Sequence, residues 1–131
     1  MSSAANPRLA DLDAGTLSER YASGSLTPSE VAEDVIARVE AREPELNALY
    51  LFDAAQVRAD AAASTERWAA GTPRSPFDGG PATGKENIAR AGQPKPSGTA
   101  LPNPVIAARN APTTDRLLEA GCVIIGSTTM P

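Results

Sequence analysis

Apolar residues in the first seventy positions recur with the period of a helix. The clearest stretch begins at Thr27, because Thr-Pro-Ser-Glu at positions 27–30 is a capping box with proline at the first helical position. Behind it, valine, alanine and isoleucine recur three and four residues apart, which gives this helix one apolar face. We therefore predict helices from Asp13 to about Ala22, from Thr27 to about Arg42 with Pro44 as its stop, and from Asp53 to about Ala70.

Two short apolar runs predict strands. One covers residues 46–52, and the other, Cys122–Gly126, is apolar throughout. A short, fully apolar run is typical of a strand that is covered on both faces, as in parallel sheets. Such a strand needs neighbours, and the printed sequence ends five residues later, at Pro131. We therefore expect its partner strands to lie in sequence outside this chain.

Glycine and proline divide the chain into two parts. Residues 71–104 hold seven prolines and six glycines, so we expect loops and short extended pieces there. After them, Pro112 opens a predicted helix whose buried side is supplied by Leu117 and Leu118. The prediction is an α/β chain with a helical arm over residues 8–70 and a second part over residues 71–131. Aromatic residues make up only 4 % of the chain and much of its apolar content is alanine, which buries little, so we expect an incomplete domain.

Charge and composition exclude several classes of protein. Twelve Lys and Arg against sixteen Asp and Glu give a net charge of −4, which argues against binding to a nucleic-acid backbone. With no histidine and one cysteine, the chain cannot form a Ser-His-Asp triad, an internal disulfide or a thiolate–imidazole zinc site. No apolar run approaches the roughly 20 residues that span a bilayer, and the polar residues 1–7 do not open a secretory signal. We expect a soluble, cytoplasmic protein with no metal and no cofactor.

The segment Gly79–Lys85 fits the pattern G-x-x-x-x-G-K of a phosphate-binding loop. Three features oppose a nucleotide site there. Glu86 stands where a hydroxyl should hold magnesium, the proline-rich residues 72–77 cannot form the preceding strand, and glycine and proline at positions 92–96 interrupt the helix that should follow. Nucleotide binding at Gly79–Lys85 is therefore only a remote alternative.

The same lysine lies in a segment that resembles the amidase signature family. Residues 79–88 read Gly-Gly-Pro-Ala-Thr-Gly-Lys-Glu-Asn-Ile, and the family has Gly-x-Pro, three mostly apolar residues, then Lys-[Asp/Glu]-Asn and an isoleucine or similar residue. The loop from Gly92 to Ala100 and the helix and strand at residues 114–131 resemble the family's next elements. The segments 26–31 and 45–48 resemble its N-terminal helical arm. The resemblance is collinear from about Leu17 to Pro131 and implies a mixed α/β sheet that begins in residues 71–131 and is cut before the Gly/Ser-rich signature.

The resemblance implies hydrolysis of a carboxamide C–N bond by a Ser–cis-Ser–Lys triad. Lys85 matches the catalytic lysine, which as a neutral amine accepts a proton relayed through a bridging serine from the nucleophilic serine. Both triad serines belong to the downstream signature, and none of the ten serines in this chain matches them. We therefore expect the segment alone to be inactive. Substrate-binding residues stay unknown, although Ser97 and Thr99 could approach substrate near the lysine.

Two classes of function stay open. In the first, the chain is the N-terminal part of an amidase-signature hydrolase that acts on a small-molecule amide, and a homodimer of the full-length form is left open. In the second, the chain is a complete but non-catalytic relative that acts as an interaction module. Several residues also have plainer roles. We expect Glu86 to be a surface or hydrogen-bonding residue, and Asn87 to bond loop backbone in preference to substrate. We expect Cys122 to be a buried structural thiol and Trp68 to anchor the alanine-rich helix, with a partner surface as its alternative.

Overall fold

The computed structural model describes residues 8–130. The polar residues 1–7 and Pro131, which ends the last matching segment, lie outside the described residues. After a short 3₁₀ helix at Leu9–Asp11, the elements are α1 (Ala14–Ser23), α2 (Pro28–Leu46), β1 (Leu49–Phe52), α3 (Ala54–Ala69), β2 (Pro81–Lys85), α4 (Pro112–Glu119) and β3 (Val123–Thr128).

The three strands form one mixed sheet in the order β1-β3-β2. β3 runs antiparallel to β1 and parallel to β2, so the sheet of the predicted α/β class is mixed, as the resemblance implied. The prediction that the partners of β3 lie outside this chain is wrong, because both of its hydrogen-bonded neighbours are in it. The error has a physical cause: β2 reads Pro-Ala-Thr-Gly-Lys and has no large apolar residue, so its place in the sheet depends on backbone pairing with a strand some forty residues away.

The core lies between the sheet and the helices α2 and α3. Ile36 of α2, Val57 of α3, and Val123 and Ile125 of β3 are all buried there. A second cluster joins α1 to the start of α2 and includes Tyr21. Trp68 packs against that second cluster, with its ring centroid 6.0 Å from that of Tyr21, so its predicted role as an anchor is confirmed.

The helix starts agree with their sequence signals, but one helix end does not. The capping box at Thr27 is formed in both directions, and the Asp53 side chain caps α3. α2 continues through Pro44 to Leu46, so the predicted stop at Pro44 and the predicted strand start at residue 46 are wrong. Glu43 explains the extension, because its carbonyl accepts the Asn47 N–H at 2.8 Å and its carboxylate accepts the Leu49 N–H at 2.8 Å. Asn47 adopts a left-handed conformation there, which ends the helix.

α4 buries a polar residue where leucine was predicted. Thr114 is buried and its hydroxyl donates to the Ala89 carbonyl at 2.8 Å, whereas Leu118 is 38 % exposed and Leu117 only half-buried. The helix therefore packs against the loop after β2 through a hydrogen bond, and its leucines do not supply the buried side.

A buried carboxylate organises the loop that leads into β2. Asp78 is completely buried and accepts hydrogen bonds from the Arg67 guanidinium at 2.6 and 2.7 Å, the Ser64 hydroxyl at 2.6 Å and the Arg74 backbone N–H at 2.7 Å. Its own carbonyl accepts the Trp68 indole N–H at 2.9 Å. The end of α3 and the start of β2 are thus held together through one residue.

Candidate active site

Lys85 is the last residue of β2, and its side chain is exposed. Its Cα pairs with that of Thr128, the last residue of the parallel strand β3. The carboxyl ends of both strands therefore lie at one end of the sheet, which is where α/β sheets place their ligands. Ala48, just before β1, lies at the same end, because its carbonyl accepts the Thr129 N–H at 2.8 Å.

The backbone around Lys85 is held on both sides. The Thr128 hydroxyl donates to the Gly84 carbonyl at 3.3 Å, and the Glu86 N–H donates to the Thr128 carbonyl at 2.8 Å. The Lys85 carbonyl accepts the Ile88 N–H at 2.8 Å, which closes a turn directly after the strand. The lysine therefore projects from a backbone whose position is fixed by the end of β3.

Glu86 faces inward, unlike its two chain neighbours. It is 6 % exposed, whereas Lys85 and Asn87 are both exposed. One oxygen of its carboxylate, Oε1, accepts the Met130 N–H at 3.0 Å. Of the two plainer roles considered for Glu86, the hydrogen-bonding role is confirmed and the surface role is wrong. Sequence reasoning could not have found this bond, because its partners are 44 residues apart.

The nucleotide-binding alternative at Gly79–Lys85 is wrong. Pro81–Lys85 is a β-strand, whereas a phosphate-binding loop needs those backbone N–H groups free and pointing at the ligand. Lys85 is followed by a turn, and across the described residues the next helix begins only at Pro112. Neither the loop nor the helix N-terminus that would hold phosphate is formed.

The other candidates lie in different parts of the fold. Ser97 and Thr99 are exposed at the tip of the loop 92–107, where the Thr99 hydroxyl donates to the Pro96 carbonyl at 2.8 Å. Cys122 is half-buried, and burial raises the pKa of its thiol, which disfavours the reactive thiolate. For Ser97 and Thr99, their approach to a substrate near Lys85 stays a prediction.

Two cavities flank the sheet. The larger, of about 700 Å³, lies between α2 and the sheet over Val35, Val39 and Ile125, and its lining on β2 stops at Thr83. The smaller, of about 210 Å³, contains Arg90, whose pKa is lowered by burial. Within residues 8–130, no group of three or more acidic, histidine or cysteine side chains is placed to hold a metal ion. In the same residues, no helix is both long and apolar enough to cross a membrane.

Comparison with known proteins finds relatives that are named as amidases or amide hydrolases. The chain is 38 % identical to an acylamidase of Rhodococcus erythropolis over 92 % of this chain and 25 % of that protein. It is 37 % identical to a fatty acid amide hydrolase of Medicago truncatula over 84 % of this chain and 19 % of that protein. The chain thus spans about a quarter or less of the length of these curated relatives.

Solved structures give the same result at the level of the fold. The peptide amidase of Stenotrophomonas maltophilia superimposes with a TM-score of 0.81 and 26 % identity, over 90 % of this chain and 24 % of that one. A crystal structure described as an amidase gives a TM-score of 0.81 and 31 % identity, over 91 % of this chain and 27 % of that one. The family model described as Amidase matches residues 30–131, which include the segment around Lys85 and all three strands. By this match the chain belongs to the Amidase family, the amidase signature family that its motifs resemble.

Proposed function

We propose that this chain supplies the N-terminal helices, the first strands and the general base of an enzyme that hydrolyses a carboxamide C–N bond. The observation that carries the proposal is the position of Lys85 at the carboxyl ends of two parallel strands, inside the motif Lys-Glu-Asn of a matched amidase segment. The names of the similar proteins, acylamidase and fatty acid amide hydrolase among them, support an amide as the substrate.

The proposed mechanism divides the triad between this chain and residues outside it. The neutral amine of Lys85 accepts a proton through a bridging serine from the nucleophilic serine, whose oxygen attacks the amide carbon. The C–N bond breaks as the amine leaves with a proton, and water then hydrolyses the acyl-serine ester. Burial favours the neutral form of a lysine. Since the described residues leave Lys85 exposed, its cover has to come from the rest of the enzyme.

Replacement of Lys85 tests this role. The experiment needs the full-length protein, by which we mean a polypeptide in which residues 1–131 continue into the rest of an amidase-family chain. Arginine keeps the charge of lysine but cannot deprotonate near neutral pH. We therefore expect Lys85→Arg to lose nearly as much kcat as Lys85→Ala, about 100- to 10,000-fold.

The second lysine of the chain provides a matched control. Lys95 lies in the loop 92–107 and its backbone N–H bonds to the Val105 carbonyl, an interaction that Lys95→Arg retains. We expect Lys95→Arg to keep normal kcat and KM. Near-normal kcat for Lys85→Arg, with only KM raised, would show that the lysine merely positions substrate and would overturn the assignment. The 131-residue chain alone gives the baseline, and we expect it to hydrolyse no amide, because it lacks both triad serines.

A further inference from the structure

We propose that Glu86 is a positioning residue for Lys85, and that its buried carboxylate fastens the end of β2 to the segment Thr128–Met130. This inference rests on the proposed role of Lys85 as the general base. Glu86 does not touch the reacting atoms in the proposal. It acts through its hydrogen bonds to the backbone of Thr128 and Met130, at the end of the sheet where β2 and β3 both finish.

The geometry gives Glu86 two bonds to the same short segment. Its backbone N–H donates to the Thr128 carbonyl at 2.8 Å, and its carboxylate accepts the Met130 N–H at 3.0 Å. The side chain therefore spans the end of the sheet, and the backbone immediately after Lys85 cannot move away from β3 without breaking both bonds. A buried carboxylate is costly unless it is hydrogen-bonded, which ties its burial to this contact.

The two hydrogen bonds of Glu86 lie directly beside Lys85, which explains why their loss should lower kcat. Lys85 lies at an exposed strand end, where the last residues of a strand are otherwise free to separate. A misplacement of a reacting group by about 1 Å can cost about 100-fold in rate. The chain leaves β3 through the segment Thr128–Met130, at the same end of the sheet as Lys85. Glu86 therefore fixes the position of Lys85 relative to that segment.

The test separates the hydrogen-bond acceptor from the charge. In the full-length protein, Glu86→Gln keeps an oxygen that can accept the Met130 N–H, whereas Glu86→Met keeps the length of the side chain and removes the acceptor. We expect Glu86→Met to lower kcat about 100-fold with little change in KM, and Glu86→Gln to restore most of the activity. The control is Glu45→Met, at an exposed position on α2, which should leave both constants unchanged.

The outcomes decide the proposal separately from the role of Lys85. Normal kcat in Glu86→Met would overturn it, and so would a loss in Glu86→Gln as large as in Glu86→Met, because the carboxylate charge or proton would then be what matters. If Glu86→Met does not fold, Glu86→Ala takes its place, because it also removes the acceptor of the Met130 N–H: lowered kcat that Glu86→Gln restores supports the fastening, and normal kcat overturns it. The role of Lys85 is judged only by the Lys85→Arg variant, so a result that overturns the positioning role of Glu86 leaves the role of Lys85 unaffected.

Discussion

Asp78 is the residue on which the loop before β2 depends most. Burial alone would raise the pKa of its carboxyl, but the hydrogen bonds from Arg67, the Arg74 backbone and Ser64 outweigh burial and lower the pKa below its usual value. The same contact raises the pKa of Arg67. Asp78 is therefore charged in the folded protein at neutral pH, and each of its oxygens accepts two hydrogen bonds.

Removing the charge at Asp78 should destabilise the folded state by about 3 kcal/mol, because it leaves a partly buried guanidinium without its carboxylate partner. Urea unfolding of Asp78→Asn in the full-length protein at pH 7 measures this loss. The exposed pair of Arg58 and Glu33 is the matched control, and Glu33→Gln should lower the free energy of unfolding far less than Asp78→Asn does. Equal losses in the two variants would contradict the prediction.

The lowered pKa of Asp78 also predicts how its contribution depends on pH. A group whose pKa is lower in the folded than in the unfolded state stabilises the fold above the unfolded value, which is about 3.9 for aspartate. That stabilisation is lost as the pH falls through the folded pKa. The difference in stability between wild type and Asp78→Asn should therefore be constant at neutral pH and narrow below about pH 4. A constant difference down to strongly acidic pH would show that the charge of Asp78 is not the cause.

At the scale of elements, two glycines on neighbouring strands should respond in opposite ways to replacement by alanine. A Cβ at Gly126 of β3 would collide with the Leu51 carbonyl oxygen, whereas a Cβ at Gly84 of β2 would meet nothing within 4 Å. Gly126→Ala should therefore destabilise the protein by about 1–3 kcal/mol through a backbone clash. Gly84→Ala should stabilise it by up to about 1 kcal/mol, since the unfolded chain loses freedom and nothing collides. Thermal unfolding of both variants checks the pair, and a loss of stability in Gly84→Ala would contradict it.

The same elements show what the sequence could and could not predict. α2 starts where its capping box predicts, because Thr27 and Glu30 satisfy each other's backbone within one turn. β2 has no such local signal, and its pairing with β3 is a tertiary interaction. At the candidate site, the motif pointed to Lys85 as the proposed base, but the contact of Glu86 with Met130 depends on how two distant strands align. Interactions within one turn could therefore be predicted from the sequence, whereas the register between strands that are distant in the sequence could not.

At the scale of the whole molecule, the described chain has a core but leaves large apolar side chains uncovered. Phe77, Leu101, Val105 and Ile106 are each more than half exposed, and the last three lie together in the loop 92–107. β1 and β2 each pair with β3 on one side only within the described residues, so both outer edges carry unpaired backbone groups. Unpaired sheet edges and exposed apolar side chains both favour association with other chains.

We therefore predict that the 131-residue chain on its own unfolds with weak cooperativity or self-associates, while α2 keeps its helical structure because its caps are local. The full-length protein, in which the remaining three quarters of the relatives' length can cover those edges, should give a sharper transition at the same concentration. Circular dichroism melts combined with light scattering after size-exclusion chromatography compare the two. A monomeric 131-residue chain with a sharp two-state melt would show that the core of α2, α3 and β3 is sufficient by itself, and would contradict the prediction.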